Sequence, residues 1–387
     1  MYDWIVIGAG ITGSALAYEL SKKQWRVLLL EKDRLPDNAT VYSYGGLAYW
    51  SGTTELTRQL GQEGRELHRQ LSDELEADTE FRELDLVLTV DCQTTPAAIA
   101  PNYADFAIQP EILDTQQACE LEPLLNPNAI SGALRLPHGQ IQPQKTAIAY
   151  QQALLRQKGK IIYERVNRLL RQGDKITGVV TDKNTYHAAN TVVCAGGLSR
   201  RLLAEASITS KIYFTHSLLI QTPPTDIKLN TIVMPAVQQR FALEAKIAEL
   251  TPESAWNNEQ DNLINSVLDA GAVQFLDGTL CLGQISAIAT SPATKLNQKS
   301  GELAIRQKIS NILPMLGKIP GTCATCLVAF TNREVGVVGN LEPISGIYLF
   351  NGFTSTLVFA PPLARHFANW VAGENNEIIE QLNCGVS

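Results

Sequence analysis

At 387 residues the chain exceeds one ordinary domain, and its 45% hydrophobic and 18% charged residues exclude a disordered polymer. A formal net charge of -7, with no basic run, argues against nucleic acid as a partner. No apolar stretch nears the roughly 18 residues of a membrane span, no leader pattern precedes Asp3 and Trp4, and seven scattered cysteines predict a reducing, cytoplasmic setting.

The chain opens with MYDWIVIGAGITGSALAYELSKKQWRVLLLEKD. Ile5-Val6-Ile7 is a buried-strand run, Ile11 to Lys23 has the composition of an amphipathic helix, and a second apolar strand starts at Arg26. Three glycines fall at the first crossing. Gly8 permits the sharp turn out of the strand, Gly10 lets a pyrophosphate approach the backbone, and Gly13 lets the helix lie close to the sheet. The helix start offers free N–H groups to phosphate. Glu31, closing the second strand, suits ribose hydroxyls and disfavours a 2′-phosphate. The unit therefore predicts an adenine dinucleotide, with FAD and NAD both open and a ligand-free glycine turn as the plain alternative.

Further along, YSYGG carries the pair Gly45-Gly46, and Leu56, Leu60, Leu67, Leu71 and Leu75 mark one apolar helix face. ELDLVLTVD (83–91) predicts a strand, 94–110 a Pro-rich loop, and DTQQACELEPLL a helix capped by Asp114 or Thr115. A short strand and turn are expected over 131–143, then a helix stopped by Gly159. KIIYERV and ITGVVTD predict strands joined through QGD, and NTVVCAGGLS a buried strand running into glycines. Lys211 to Gln221 and GAVQFLDGTLCLGQI predict further strands, and TKLNQKSGELAIRQKISNILPML a helix. The chain closes on the strands VGVVG and GIYLFNGF and a helix from about Pro362 to Val371. Cys323-Ala-Thr-Cys326 lies in a strand-like run without a second pair or paired histidines, so buried thiols are expected rather than a metal or a dithiol.

Together, the opening unit, YSYGGLAYW, HGQIQP, NTVVCAGGLS and GIYLFNGFTSTLVFAPPLARHFANWV resemble, in order, the D-amino-acid oxidase, glycine oxidase and sarcosine oxidase superfamily of FAD-dependent oxidoreductases. The resemblance implies an α/β chain: a Rossmann-like FAD-binding domain (1–80, 140–215 and 325–387) carrying an inserted substrate domain on a mixed sheet (81–139 and 216–324). It implies FAD contacts at Gly8, Gly10, Thr12, Gly13, Glu31, Lys32, Gly45, Gly46, Val166, Ala195 and Gly196, and at Gly352, Phe353, Thr354, Ser355 and Thr356. A second glycine fingerprint, expected for NAD dependence, is absent.

The resemblance also implies hydride transfer from an amine-bearing carbon to flavin N5, hydrolysis of the resulting imine, and oxygen or a quinone as electron acceptor. A cation normally pairs with the substrate carboxylate, since a buried unpaired carboxylate is costly. Val328 stands at about that arginine's place, and Arg333-Glu334 replaces the usual Asp-Gly. Arg333 is either a displaced carboxylate partner or a surface turn residue. Arg58 resembles an arginine near the flavin in sarcosine-oxidase-like members, with a solvated helix residue as its alternative. His216 either faces the substrate or is satisfied within its sheet, and Cys326 lies near a position of covalent flavin attachment in some relatives. The expected substrate is a small amine or amino acid. The alternatives are a hydroxy acid, an amine lacking a carboxylate, or flavin binding with little turnover.

Overall fold

In the computed structural model, which describes residues 1–259 and 263–383, the opening unit forms as β1 (Tyr2–Ile7), α1 (Ile11–Lys22) and β2 (Val27–Glu31). β1 and β2 are parallel, with Val6 opposite Leu29. Such a pair needs a crossover, which α1 supplies. All five residues of β2 are buried, as a parallel strand covered on both faces requires.

Two sheets organise the described residues. In the first, β1 lies between β2 and the strand Thr185–Val193, followed outward by Ile347–Asn351 and Val337–Asn340. Lys160–Tyr163 extends the other edge, and the hairpin of Val166–Gln172 and Lys175–Thr181 attaches to Thr185–Val193. The second sheet runs Thr322–Phe330, Tyr213–Gln221, Leu280–Ala289, Leu263–Gln274, Ile232–Pro235, Arg82–Asp91, Ile130–Gln140 and Gly46–Leu47. It is mixed, because Ile232–Pro235 runs parallel to Arg82–Asp91 while its other pairings are antiparallel.

Several expectations need correction. Boundaries at 215/216 and 324/325 fall inside Tyr213–Gln221 and Thr322–Phe330, which pair along their whole length in the second sheet. A ladder whose backbone hydrogen bonds are shared cannot be divided there. The stretch 94–110 holds a short helix, Pro96–Ile99, started by the Thr95 side chain. The short strand expected in 131–143 is the eleven-residue Ile130–Gln140, and KIIYERV splits between Lys160–Tyr163 and Val166–Gln172.

The largest local surprise is the last long helix, which runs Thr356–Val371 with Pro361 and Pro362 inside it. Proline has no N–H, so Pro361 leaves the carbonyl of Leu357 without its helical donor. The helix α2 (Glu55–Glu74) makes good the loss. His68 Nε2, buried on α2, donates to Leu357 O at 2.7 Å. Pro362 frees Val358 O in the same way, and Gly64 of α2 lies against that carbonyl so closely that a Cβ there would sit 2.2 Å from it. α2 itself starts at Thr54, whose hydroxyl accepts from Thr57 N–H, and it buries Leu60, Leu67 and Leu71 on its inner face.

Gly64→Ala is accordingly expected to force the two helices apart and weaken the His68 bond. Overpacking of this kind costs about 1–3 kcal/mol. Urea unfolding of the variant checks it, and an unchanged midpoint would show that the helix pair yields freely.

Candidate active site

A cavity of about 1320 Å³ opens at the carboxyl ends of β1 and β2 and extends to the second sheet. Ligands of open α/β sheets bind at this end of the strands. Of the residues singled out from sequence, Gly8, Gly10, Thr12, Glu31, Lys32, Gly46, Val166, Ala195, Gly196 and His216 line it, together with the run from Gly352 to Thr356. Gly13, Gly45, Arg58 and Arg333 do not.

The glycine turn has the mechanics its spacing implies. Gly8 has a φ of +101°, and a Cβ there would lie 2.6 Å from Cys194 O. Gly13 works from beneath, since its Cβ would lie only 1.9 Å from Gly8 O. Gly10 is the N-cap of α1 and itself supplies no capping side chain, so Thr40 is the side chain that meets the first turn. Thr40 Oγ1 accepts from Ile11 N–H at 3.0 Å. Glu31 accepts from Ala9 N–H and Lys32 N–H, each at 2.8 Å. Oε1 also accepts from Asp33 N–H at 3.3 Å, and Oε2 retains a lone pair for a further donor.

Gly45 acts by backbone. Its φ is +73°, and its carbonyl accepts from Ile141 N–H at 3.0 Å. Gly46 lies over His138, whose Nδ1 accepts from Trp50 Nε1 at 3.0 Å. At the far chain end, Asn351 ties the closing loop to the second glycine turn. Its Nδ2 donates to Gly196 O at 2.8 Å and Ser199 Oγ at 2.6 Å, and its Oδ1 accepts from Gly352 N–H at 2.8 Å. Thr356 Oγ1 donates to Phe353 O at 3.1 Å, so this side chain is turned to backbone.

The two arginines expected near substrate are drawn elsewhere. Arg58 donates to Gly52 O at 3.4 Å and Asp105 O at 2.8 Å, and Arg333 donates to Leu382 O at 3.3 Å. His216 does reach the cavity wall, buried, with Nε2 3.1 Å from Ser291 O. Cys326 and Val328 line the wall too. Cys323 and Cys326 are three apart on one strand, so their side chains leave by opposite faces and form no dithiol. Burial pushes the Cys326 thiol up to about 12, which keeps it protonated at neutral pH.

Sequence reasoning missed Thr40, Asn351, Tyr44 and Arg240. The buried Tyr44 hydroxyl lines the cavity and has no hydrogen-bond partner among the described residues. Arg240, near the start of the helix Gln239–Leu250, lines the second-sheet side. Tyr44 stands in YSYGG, directly before the glycine pair, whereas Arg240 sits in no local motif. Asn351 also carried a signal, as the polar residue before the glycine that closes a buried strand.

The model of the FAD dependent oxidoreductase family matches residues 3–370. The chain belongs to this family. A 4-methylaminobutanoate oxidase (formaldehyde-forming) of Paenarthrobacter nicotinovorans is 25% identical to this chain over 380 residues, 95% of the chain but 43% of that enzyme. A glycine oxidase of Geobacillus kaustophilus is 27% identical over 224 residues, 55% of the chain and 59% of that enzyme. The crystal structure of glycine oxidase from the same organism superposes with a TM-score of 0.77 at 18% identity, covering 97% of this chain and 95% of that one. The chain thus spans less than half of the first relative's length.

The residues present fit FAD. A helix start met by a side chain only at Ile11, the crowded glycine turn and the available Glu31 Oε2 form a cradle for adenosine diphosphate at one end of the cavity. From there the cavity continues past Gly46 and the loop from Gly352 to Thr356, with room for the remainder of the dinucleotide. Among the described residues no helix is long and apolar enough to cross a membrane.

Proposed function

We propose that this oxidoreductase oxidises a small amine or amino acid, with oxygen or a quinone taking the electrons and the second sheet serving as the substrate domain. One observation carries the reading. A single cavity joins the phosphate cradle of the first sheet to a polar wall on the second, formed by His216, Ser217, Arg240 and Gln284.

FAD, when bound, supplies hydride acceptance at N5. The chain's own part is binding and orientation. The start of α1 and the Gly8–Gly13 turn would hold the pyrophosphate, and Glu31 would hold the ribose. Gly46 and the Gly352–Thr356 loop would lie beside the flavin, and the helix Thr356–Val371 directs its positive end toward that loop. His216 and its neighbours position the substrate carbon, since alignment contributes much of such a rate. The oxidised amine leaves as an imine that water hydrolyses. The relatives named for 4-methylaminobutanoate and glycine support an amine, and free cysteines suit a reducing cytoplasm. Val328 in the cavity wall favours a second reading, oxidation of a hydroxy acid or of an amine without a carboxylate.

An anaerobic panel of amines, amino acids and hydroxy acids, followed by bleaching of the visible flavin absorbance, tests the proposal. Amine-bearing compounds are expected to bleach it, and peroxide formed in air identifies oxygen as the acceptor. Bleaching by hydroxy acids alone selects the second reading. Purified protein that is colourless and takes up no added FAD would end both.

A further inference from the structure

We propose that Arg240 anchors a carboxylate of the substrate, which makes that substrate an amine that also bears a carboxylate. This rests on the functional reading above and narrows it to one class.

The helix Gln239–Leu250 follows the strand Ile232–Pro235 and brings Arg240 to the cavity beside Asp269, Gln284 and Cys326. Two buried acids hold it there. Asp269, on the strand Leu263–Gln274, accepts from Gln239 N–H and Arg240 N–H, both at 2.9 Å, which pins the first turn of the helix to the second sheet. Glu244, one turn on, accepts from Arg240 Nε at 2.8 Å and is itself fixed by Thr215 Oγ1 at 2.6 Å. The guanidinium is therefore hydrogen-bonded through its Nε edge, with its central carbon 5.6 Å from the Phe241 ring centroid.

Its two terminal nitrogens make no hydrogen bond to a described residue, and they are not sealed off, since the side chain keeps 22% exposure. They present four N–H donors in a planar fork, the geometry that accepts a carboxylate through two parallel hydrogen bonds. Glu244 lies across the guanidinium, so its repulsion acts over a longer distance than the attraction at contact. The Asp269 charge is already met by two backbone N–H groups at the helix start.

Other cations along the cavity serve this purpose less well. Arg165, Arg201, Lys295 and Lys299 are exposed and hydrated. Lys32 pairs with Asp33 at the end of β2, beside the dinucleotide cradle. Arg240 thus supplies, from an inserted helix, the charge that neither Val328, Arg58 nor Arg333 brings to this wall.

The experiment is calorimetric titration of the purified flavoprotein with propionate and with its uncharged amide, propionamide. Wild type is expected to bind propionate at least tenfold more tightly than propionamide. Arg240→Met is expected to abolish that preference, and Arg240→Lys to lose most of it because a point charge replaces the fork. Flavin content per chain reports folding, and the lysine variant decides the matter alone if the methionine variant does not fold. Equal affinities of wild type for the two probes, or a preference unchanged in a folded variant, would overturn the assignment of Arg240. Wild-type protein that holds no flavin would instead overturn the functional reading.

Discussion

Gly13→Ala is expected to hold FAD roughly ten- to hundredfold more weakly than wild type, and to purify largely without flavin colour. The added Cβ would stand 1.9 Å from Gly8 O and 3.1 Å from Cys194 Cβ. Neither contact can be relieved by a side-chain rotation, because the first is backbone and the second lies on the adjoining strand end. α1 must move outward, and its first-turn N–H groups move away from the phosphate position with it. Displacements of this sort cost about 1–3 kcal/mol, and 1.4 kcal/mol corresponds to a factor of ten in affinity. Flavin absorbance per chain and the concentration of FAD that restores it check the result. Wild-type flavin content in this variant would show that the close approach of α1 to Gly8 is not what holds the dinucleotide.

The second large effect is on stability and depends on pH. His68 is 1% exposed, and burial lowers its pKa from 6.5 to about 4. Nε2 must carry the proton given to Leu357 O, and Nδ1 has no partner, so the folded ring is neutral. The unfolded chain takes up a proton below pH 6.5 while the folded chain refuses one until about pH 4. Acid in that window therefore favours unfolding, and the stability gap falls as the pH falls. His138, lowered by burial to about 3, has the same sign, whereas Glu122 and Asp269, raised by burial, oppose it. A difference measurement isolates His68. The unfolding free energy of wild type minus that of His68→Leu is expected to shrink by about 2 kcal/mol between pH 7 and pH 5. A gap that does not vary with pH would mean that His68 titrates normally in the fold.

These two predictions draw on different kinds of information. The glycine turn was legible because its parts are neighbours. Gly8, Gly10 and Gly13 lie within one turn and one helix start, and Glu31 follows at the end of the next strand, so spacing alone implied what the backbone does. The partnership of His68 with Leu357 was not legible, because the two are 289 residues apart. Pro361 and Pro362 are ordinary breakers until α2 supplies a donor for one freed carbonyl and a close glycine for the other.

The candidate site divides along the same line. Sequence by itself determined the α/β class, the dinucleotide cradle and the two glycine-bearing loops that meet it, since each rests on patterns a few residues long. Tertiary structure alone decided which cations reach the cavity. Arg58 and Arg333 lie near plausible motifs, yet backbone carbonyls from Gly52, Asp105 and Leu382 take up their donors. Arg240 lies in no motif, yet Asp269 and Glu244 hold it at the cavity wall. A guanidinium on a flexible stem follows whichever acceptors the folded chain places within reach, and those acceptors are set by the order of strands in the sheets, which local sequence does not encode.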